Sequence, residues 1–381
     1  MIELPGNGEL VDEVRAELAR GRPGWEADRL VARAVRADGR RLADAAVLAE
    51  LTRAVDAEIA GAGPLTPLLA QPGVTDVLVN SPSDVWVDCG DGLQRADVRF
   101  PDESAVRRLA QRLASAAGRR LDDALPYVDA SLPDGTRLHA VLPPIAEHTV
   151  ISLRVLNRRR WRLEALVPDE LRDLLRAVVE ARLAFVISGG TGTGKTTLLG
   201  AMLGCARPGE RILVVEDVAE VQIETTHLLR LVCRLANVEG SGAIGLRELV
   251  RQSLRMRPDR IVVGEFRGPE IAELLLALNT GHDGGAATVH ANSAADVPAR
   301  LAALGALAGL DAATVAVQAA SALDVVVHLR REGHRRFVQT VGLLRAAAGE
   351  LGVVPVWHEG AFDRAGREQL RELCAQRGVS P

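Results

Sequence analysis

The chain has 381 residues, room for two or three domains of roughly 150 residues each. Nearly half of them are hydrophobic, a quarter are charged and the formal net charge is −4, a globular balance unlike that of a strongly basic nucleic-acid binder. The four cysteines, Cys89, Cys205, Cys233 and Cys374, stand far apart with no CxxC pair, so no zinc site or redox motif is expected.

The first 21 residues carry neither a basic n-region nor an apolar h-region, so they do not read as a signal peptide. No apolar run approaches the ~20 residues that span a bilayer. The chain is therefore expected to be soluble, reaching a membrane only through a partner or at its surface. Residues 1–60 place apolar residues three and four apart among charges and read as helices, for example in VDEVRAELA and ADRLVARAVRA. The stretch AGPLTPLLAQPG, with Pro64, Pro67 and Pro72, reads as a loop. From Val74 the pattern changes to short strands: VTDVLVN, DVWVDC and LQRADVRF, then a helix, ESAVRRLAQRLASAA, then TRLHAVLP and TVISLRVL. This block is expected to be a small α+β domain. The run NRRRWRLEALVP, with Arg158, Arg159 and Arg160, reads as a linker.

From Pro168 helix and strand alternate, which predicts a largely parallel sheet flanked by helices. Strands are expected at LAFVIS, RILVVED, LLRLVCR, RIVVGE and AATVH, and helices at DELRDLLRAVVEA, KTTLLGAMLGCA, LRELVRQSLRM and PEIAELLLALN. Late in the chain DVVVHLRR and RRFVQTVGLL can pair as a hairpin across EGH, and DRAGREQLRELCAQRG reads as a terminal helix.

The chemistry starts at Gly189, Gly190, Thr191, Gly192, Thr193, Gly194, Lys195 and Thr196, with Thr197 after them, a full G-x-x-x-x-G-K-[ST] loop between an apolar strand and a helix. Its glycines let backbone N–H groups turn inward around phosphates. Lys195 puts a point charge on the β/γ-phosphates at a helix N-terminus, and the Thr196 hydroxyl suits Mg²⁺. Lys195 is also the one lysine in a chain otherwise built with arginine, kept where a compact ammonium is needed. ATP and Mg²⁺ are the expected ligands. Strand ends supply acids: ILVVED ends in Glu216 and Asp217, and RIVVGE in Glu265, the candidate for polarising the attacking water. Glu216 could also reach Mg²⁺ through a water. His290, at another strand end, suits a neutral imidazole that senses hydrolysis, whereas His282 lies in a glycine-rich turn. Arg137, Arg154, Arg230, Arg234 and Arg267 could stabilise charge on the transferring phosphoryl group, with a surface ion pair as the default for any one of them.

In this order, GGTGTGKTT, VEDVAEVQ, LRMRPDRIVVGEFRG and NTGHDGGAATVHANS resemble the type II/type IV secretion ATPase superfamily, and with DGTRLHAVLPP they are nearest its CpaF/TadA branch, which serves Tad/Flp-type pili. The resemblance implies an α/β chain with a helical extension (1–62), a smaller PAS-like α+β N-terminal domain (63–156), a linker (157–168) and a RecA-like P-loop ATPase domain (169–381). It places Glu216 and Asp217 in the Asp box, Glu265 at the Walker B position and His290 in the His box. It matches Arg137, Arg154, Arg230 and Arg234 to arginines that reach nucleotide. Two departures stand out. The four-cysteine metal module of some relatives is missing, and Arg234-Leu235-Ala236-Asn237 stands where the family often reads Arg-Pro-Pro-Asn.

The same resemblance implies a homohexameric motor at the cytoplasmic face, docked on a polytopic membrane platform protein and powering pilus assembly or protein secretion. No zinc and no nucleic-acid partner are expected. The alternatives are a nucleic-acid translocase or conjugative-transfer ATPase built on the same engine, and a nucleotide-gated binding module with little turnover.

Overall fold

The computed structural model describes residues 61–380 apart from 91, 157–159, 235, 237–240 and 348. The helices expected in 1–60 and most of the arginine run at 158–160 lie outside the described residues. The chain divides into two compact units, one ending at Asn157 and the other beginning at Arg158.

The first unit begins with a short helix, α1 (Thr66–Leu69), and is built on six antiparallel strands. These are β1 (Asp76–Ser81), β2 (Asp84–Asp88), β3 (Leu93–Arg95), β4 (Tyr127–Ser131), β5 (Arg137–Val141) and β6 (Val150–Arg154), in the order β3-β2-β1-β6-β5-β4. Alternate residues are buried, as in Val77 and Val79 or Leu138 and Ala140, so one face packs and the other meets water. Helix α2 (Glu103–Ala116) adds Val106, Leu109, Ala110 and Leu113 to the same core. It starts where Asp102 accepts a hydrogen bond from Ala105 N at 2.7 Å, a side-chain cap on an orphan donor.

Two expectations and one omission need correction here. AGPLTPLLAQPG, expected as a loop, folds into a 3-10 turn (Gly63–Leu65) and α1. Each has proline in its first turn, where the missing N–H costs nothing. LQRADVRF forms a strand only over Leu93–Arg95, all three residues exposed at the outer edge of the sheet. YVDAS forms β4, which has no large apolar alternation to announce it, since its inward residues are only Val128 and Ala130.

The second unit is a nine-stranded sheet between two layers of helices. Its strands are β7 (Phe185–Gly189), β8 (Ile212–Glu216), β9 (Leu228–Val232), β10 (Arg260–Phe266), β11 (Ala286–Val289), β12 (Val325–Glu332), β13 (Arg335–Ala347), β14 (Glu350–His358) and β15 (Ala361–Phe362). The order is β15-β14-β13-β12-β7-β11-β10-β8-β9. From β12 to β9 neighbours run parallel, and β12 to β15 continue as an antiparallel meander.

Both faces of the central strands are covered, so β7 and β8 are buried at every residue, the continuous apolar pattern of parallel sheets. Phe185, Ile187, Ile212 and Val214 face one layer, formed by α3 (Asp169–Glu180), α4 (Lys195–Leu203) and α9 (Arg364–Gln376). Val186, Val215, Ile261 and Val263 face the other, formed by α5 (Leu246–Ser253), α6 (Glu270–Leu278), α7 (Val297–Leu307) and α8 (Ala312–Ala322). The late hairpin forms as expected, Arg331 pairing with Arg336 in register. The sequence pattern does not announce strand β14 in LGVVPVWH, because Gly352 and Pro355 interrupt it; Pro is tolerated where β14 has little pairing beyond β13. Among the described residues no single helix is long and apolar enough to cross a membrane.

Candidate functional site

The parallel strands deliver their carboxyl ends to one edge, and the Gly-rich loop leaves β7 there. Gly189 has φ +151°, and a Cβ on it would stand 2.6 Å from the Leu329 carbonyl oxygen of β12. Only glycine lets the loop leave its strand so close to the neighbouring one. Thr193 Oγ1 ties the loop by donating to Gly190 O at 2.9 Å. Helix α4 begins at Lys195, with its free N–H groups and dipole directed into the turn. Lys195 is buried, and Nζ donates to Gly189 O (3.1 Å) and Gly190 O (2.8 Å). Burial lowers the pKa of this ammonium and Arg267 adds to that, while Glu265 opposes both. Thr196 is half-buried in the first turn of α4; Thr197, Thr191 and Gly192 are exposed.

Glu265 near the end of β10 and His290 just past β11 come from adjacent strands and meet beside Lys195. His290 Nε2 lies 2.7 Å from Glu265 Oε1, and its Nδ1 is 3.4 Å from Lys195 Nζ. Burial, with Lys195 next, lowers the imidazole pKa against the pull of Glu265, so the ring is neutral at neutral pH. An ammonium only donates. Nδ1 must therefore accept from Lys195, and the ring proton sits on Nε2, towards Glu265. Arg267 donates to Glu265 Oε2 at 2.7 Å and pins the carboxylate. Oε1 is buried yet receives no aligned hydrogen bond, so it keeps a lone pair for another donor. A carboxylate pinned by Arg267 on Oε2 and approached by the His290 ring N–H at Oε1 still has a lone pair with which to orient and deprotonate a water.

Glu216, at the end of β8, is in a different state. Its Oε1 accepts from the backbone N–H groups of Glu220 (2.9 Å) and Val221 (2.7 Å), which folds the following loop back over it. Burial pushes its pKa up to about 7 against those two hydrogen bonds, and Oε2 is buried with no partner. A Cβ on Gly264 of β10 would stand 2.9 Å from Glu216 Cγ, so the neighbouring strand must carry glycine there. Asp217 is exposed and lies against the Cys233 thiol, whose pKa is pushed up to about 12, first by burial and then by Asp217.

Among the described residues no group of three or more His, Cys, Asp or Glu could hold a metal unaided. The Thr196 hydroxyl and the unpartnered oxygen of Glu216 are hard oxygen donors of the kind Mg²⁺ takes beside waters and phosphate oxygens.

The expected arginines are spread more widely. Arg137 and Arg154 face each other across β5 and β6 in the first unit. Arg154 Nε is 2.9 Å from Asp76 and Arg137 is 3.4 Å from Asp129. Arg230 donates to Val221 O, and Arg234 Nε to Gly242 O at 2.7 Å, so each braces a loop of its own unit. His282 lies on Ala277 O at 3.2 Å, inside its turn. One further contact escapes sequence reasoning: Arg336 Nε on β13 donates to Gly192 O at 3.0 Å. Its only sequence signal is the basic run around EGH.

A Gly-rich loop at a helix N-terminus, at the carboxyl edge of a parallel sheet and backed by an oriented glutamate, defines a P-loop ATPase. The chain belongs to the type II/IV secretion system protein family, whose pattern it matches over residues 58–373. It is 56% identical over 331 residues, covering 83% of this chain and 94% of the relative, to a Mycobacterium tuberculosis protein whose name assigns it provisionally to conjugal transfer. With the conjugal transfer protein TrbB of Rhizobium radiobacter it shares 31% identity over 278 residues, 70% of this chain and 83% of the relative. Its fold is similar to that of the pilus retraction motor PilT, solved with bound ADP, at a TM-score of 0.54 and 19% identity, covering 82% of this chain and 87% of that one. The chain is thus an ATP-hydrolysing enzyme of the secretion-system ATPase superfamily.

Proposed function

We propose that the chain is the motor of a conjugative-transfer or type IV secretion machine, in which Glu265 orients the water that attacks ATP. The observation carrying the catalytic part is the line Lys195–His290–Glu265, with 3.4 Å and 2.7 Å between successive members. Lys195 and the N-terminus of α4 hold the β- and γ-phosphates. Glu265 takes the water's proton at Oε1, and His290, neutral and protonated on Nε2, reports the charge there to Lys195. Thr196 would hold Mg²⁺, with Glu216, beside Asp217, reaching it through water, and the ion would supply charge neutralisation on the phosphates. The second unit is the RecA-like domain (169–381), the six-stranded unit the PAS-like domain (63–156), and residues 157–168 join them.

Arg137, Arg154, Arg230 and Arg234 supply charge to nucleotide held by a neighbouring copy in a homohexamer. The ring docks on a polytopic membrane protein at the cytoplasmic face. The relatives support conjugal transfer over the Tad/Flp pilus assembly that the motifs alone suggest, because the similarity extends over 94% of a protein named for conjugal transfer.

The first test is ATP turnover per chain against protein concentration, for the native sequence beside Lys195→Ala and Glu265→Gln. Turnover should rise with concentration. Lys195→Ala should abolish nucleotide binding, and Glu265→Gln should bind but turn over ~10²-fold more slowly. Full turnover in Glu265→Gln would remove that residue from the chemistry. Plasmid transfer from cells lacking the gene separates the biological readings: unchanged transfer with lost surface pili would restore the pilus assignment.

A further inference from the structure

Two basic side chains besides Lys195 reach the Gly-rich loop from its β12 side, Arg331 and Arg336, and Arg330, their neighbour on β12, differs from both. Arg330 is neutralised, with Nε 3.2 Å from Glu332 and an Nη 3.9 Å from Glu359. Arg331 and Arg336 face each other in register across β12 and β13, and neither has a carboxylate within ion-pair distance among the described residues. Arg331 Nε donates to Gly333 O at 2.8 Å, which leaves its Nη1 projected at the loop, 3.2 Å from where a Cβ on Gly192 would be. Arg336 Nε donates to Gly192 O at 3.0 Å, and its stem lies 3.7 Å from where a Cβ on Gly194 would be.

Two uncompensated guanidinium groups thus join Lys195 and the positive end of α4 around one short loop. Like charges gathered this way repel until an anion is placed among them.

The strand order says which part of the anion they meet. β7 lies between β12 and β11, with β10 beyond β11. Glu265 and His290 approach Lys195 from the β10–β11 side, and the hairpin arginines approach from the other. A nucleotide with its γ-phosphate by Glu265 and its β-phosphate on Lys195 turns its α-phosphate and ribose towards β12.

We propose that Arg331 and Arg336 clamp the α-phosphate and ribose end of the nucleotide within the same chain, serving affinity and not the chemical step. This rests on the nucleotide-binding reading above. A planar guanidinium held by one backbone acceptor keeps its other N–H groups free for a phosphate oxygen.

The test uses the full chain with Arg331→Ala, Arg336→Ala, the double variant, and Arg330→Ala as the paired-charge control. Binding of fluorescently labelled ADP and the steady-state kinetics of ATP hydrolysis are measured for each. Each single variant should bind ADP ~10-fold more weakly and raise the KM for ATP by a similar factor. kcat at saturating ATP should stay within about 2-fold. Arg331→Lys and Arg336→Lys should recover part of the affinity, and Arg330→Ala should match the native sequence. Native ADP affinity in the double variant would overturn the clamp, as would a fall in kcat with KM and ADP affinity unchanged. The two readings fail differently. If the folded native chain binds no ADP, the nucleotide site itself is wrong; if Lys195→Ala loses ADP while the double variant keeps it, only the clamp is.

Discussion

The two edges of the nine-stranded sheet handle buried charge in opposite ways. At the amino edge the buried Arg260–Glu210 ion pair is satisfied. Arg260 is fully buried; it pairs with Glu210 and donates to Gly284 O at 3.1 Å and Val179 O at 2.7 Å. Asp324 accepts the Ala184 N–H at 2.8 Å where β12 and β7 begin. At the carboxyl edge the acids are left incomplete: Glu216 Oε2 and Glu265 Oε1 are buried without an aligned donor. Completed hydrogen bonding locks three strands and a helix together. Incomplete hydrogen bonding leaves lone pairs open, which in the mechanism proposed above water and a metal ion would use.

Substitutions at each edge test the contrast. The largest effect should come from Arg260→Met, which strands the Glu210 carboxylate in the interior and should cost about 3–5 kcal/mol in urea unfolding. Adding Glu210→Gln should recover part of the loss, and a native-like midpoint for Arg260→Met alone would show the amino edge is not a structural clamp. Glu265→Gln should do the reverse. The ~10²-fold loss of turnover expected of it should leave stability within about 1 kcal/mol of native.

The smallest effect is a pH slope. Burial raises the Asp324 pKa against the Ala184 hydrogen bond, so the native chain holds a proton that the unfolded chain has already released. Stability from this group is greatest below the ordinary carboxylate range and declines as pH rises through the native pKa. Urea midpoints of Asp324→Asn across that window should show a flatter slope than native, and an identical slope would exclude the group.

The carboxyl edge was more legible from sequence than the amino edge. Lys195, Glu216, Glu265 and His290 each sit at the end or start of a strongly apolar or Gly-rich segment, so local pattern alone places them at one edge once the sheet is parallel. Arg260 opens a strand too, but nothing in its neighbourhood distinguishes a buried arginine from a surface one. Its partner Glu210 lies fifty residues away and meets it through the β8–β10 pairing. The hairpin arginines escaped for a related reason. RREGHRR reads as a solvated turn until β12 is known to lie beside β7, and that adjacency is a property of strand order. In the first unit, Arg137 and Arg154 are seventeen positions apart in sequence and opposite each other in register, which no periodicity reveals.

The lone lysine has a practical meaning for chemical biology. Lys195 is 8% exposed, and its ammonium is engaged with the carbonyls of the loop that carries it. Side-chain acylation of lysine in this chain is therefore a single-site event at the phosphate cradle. Apart from the α-amino group, an amine-directed reagent yields one mass increment or none. Its yield reads out how open that cradle is, with no background from other lysines.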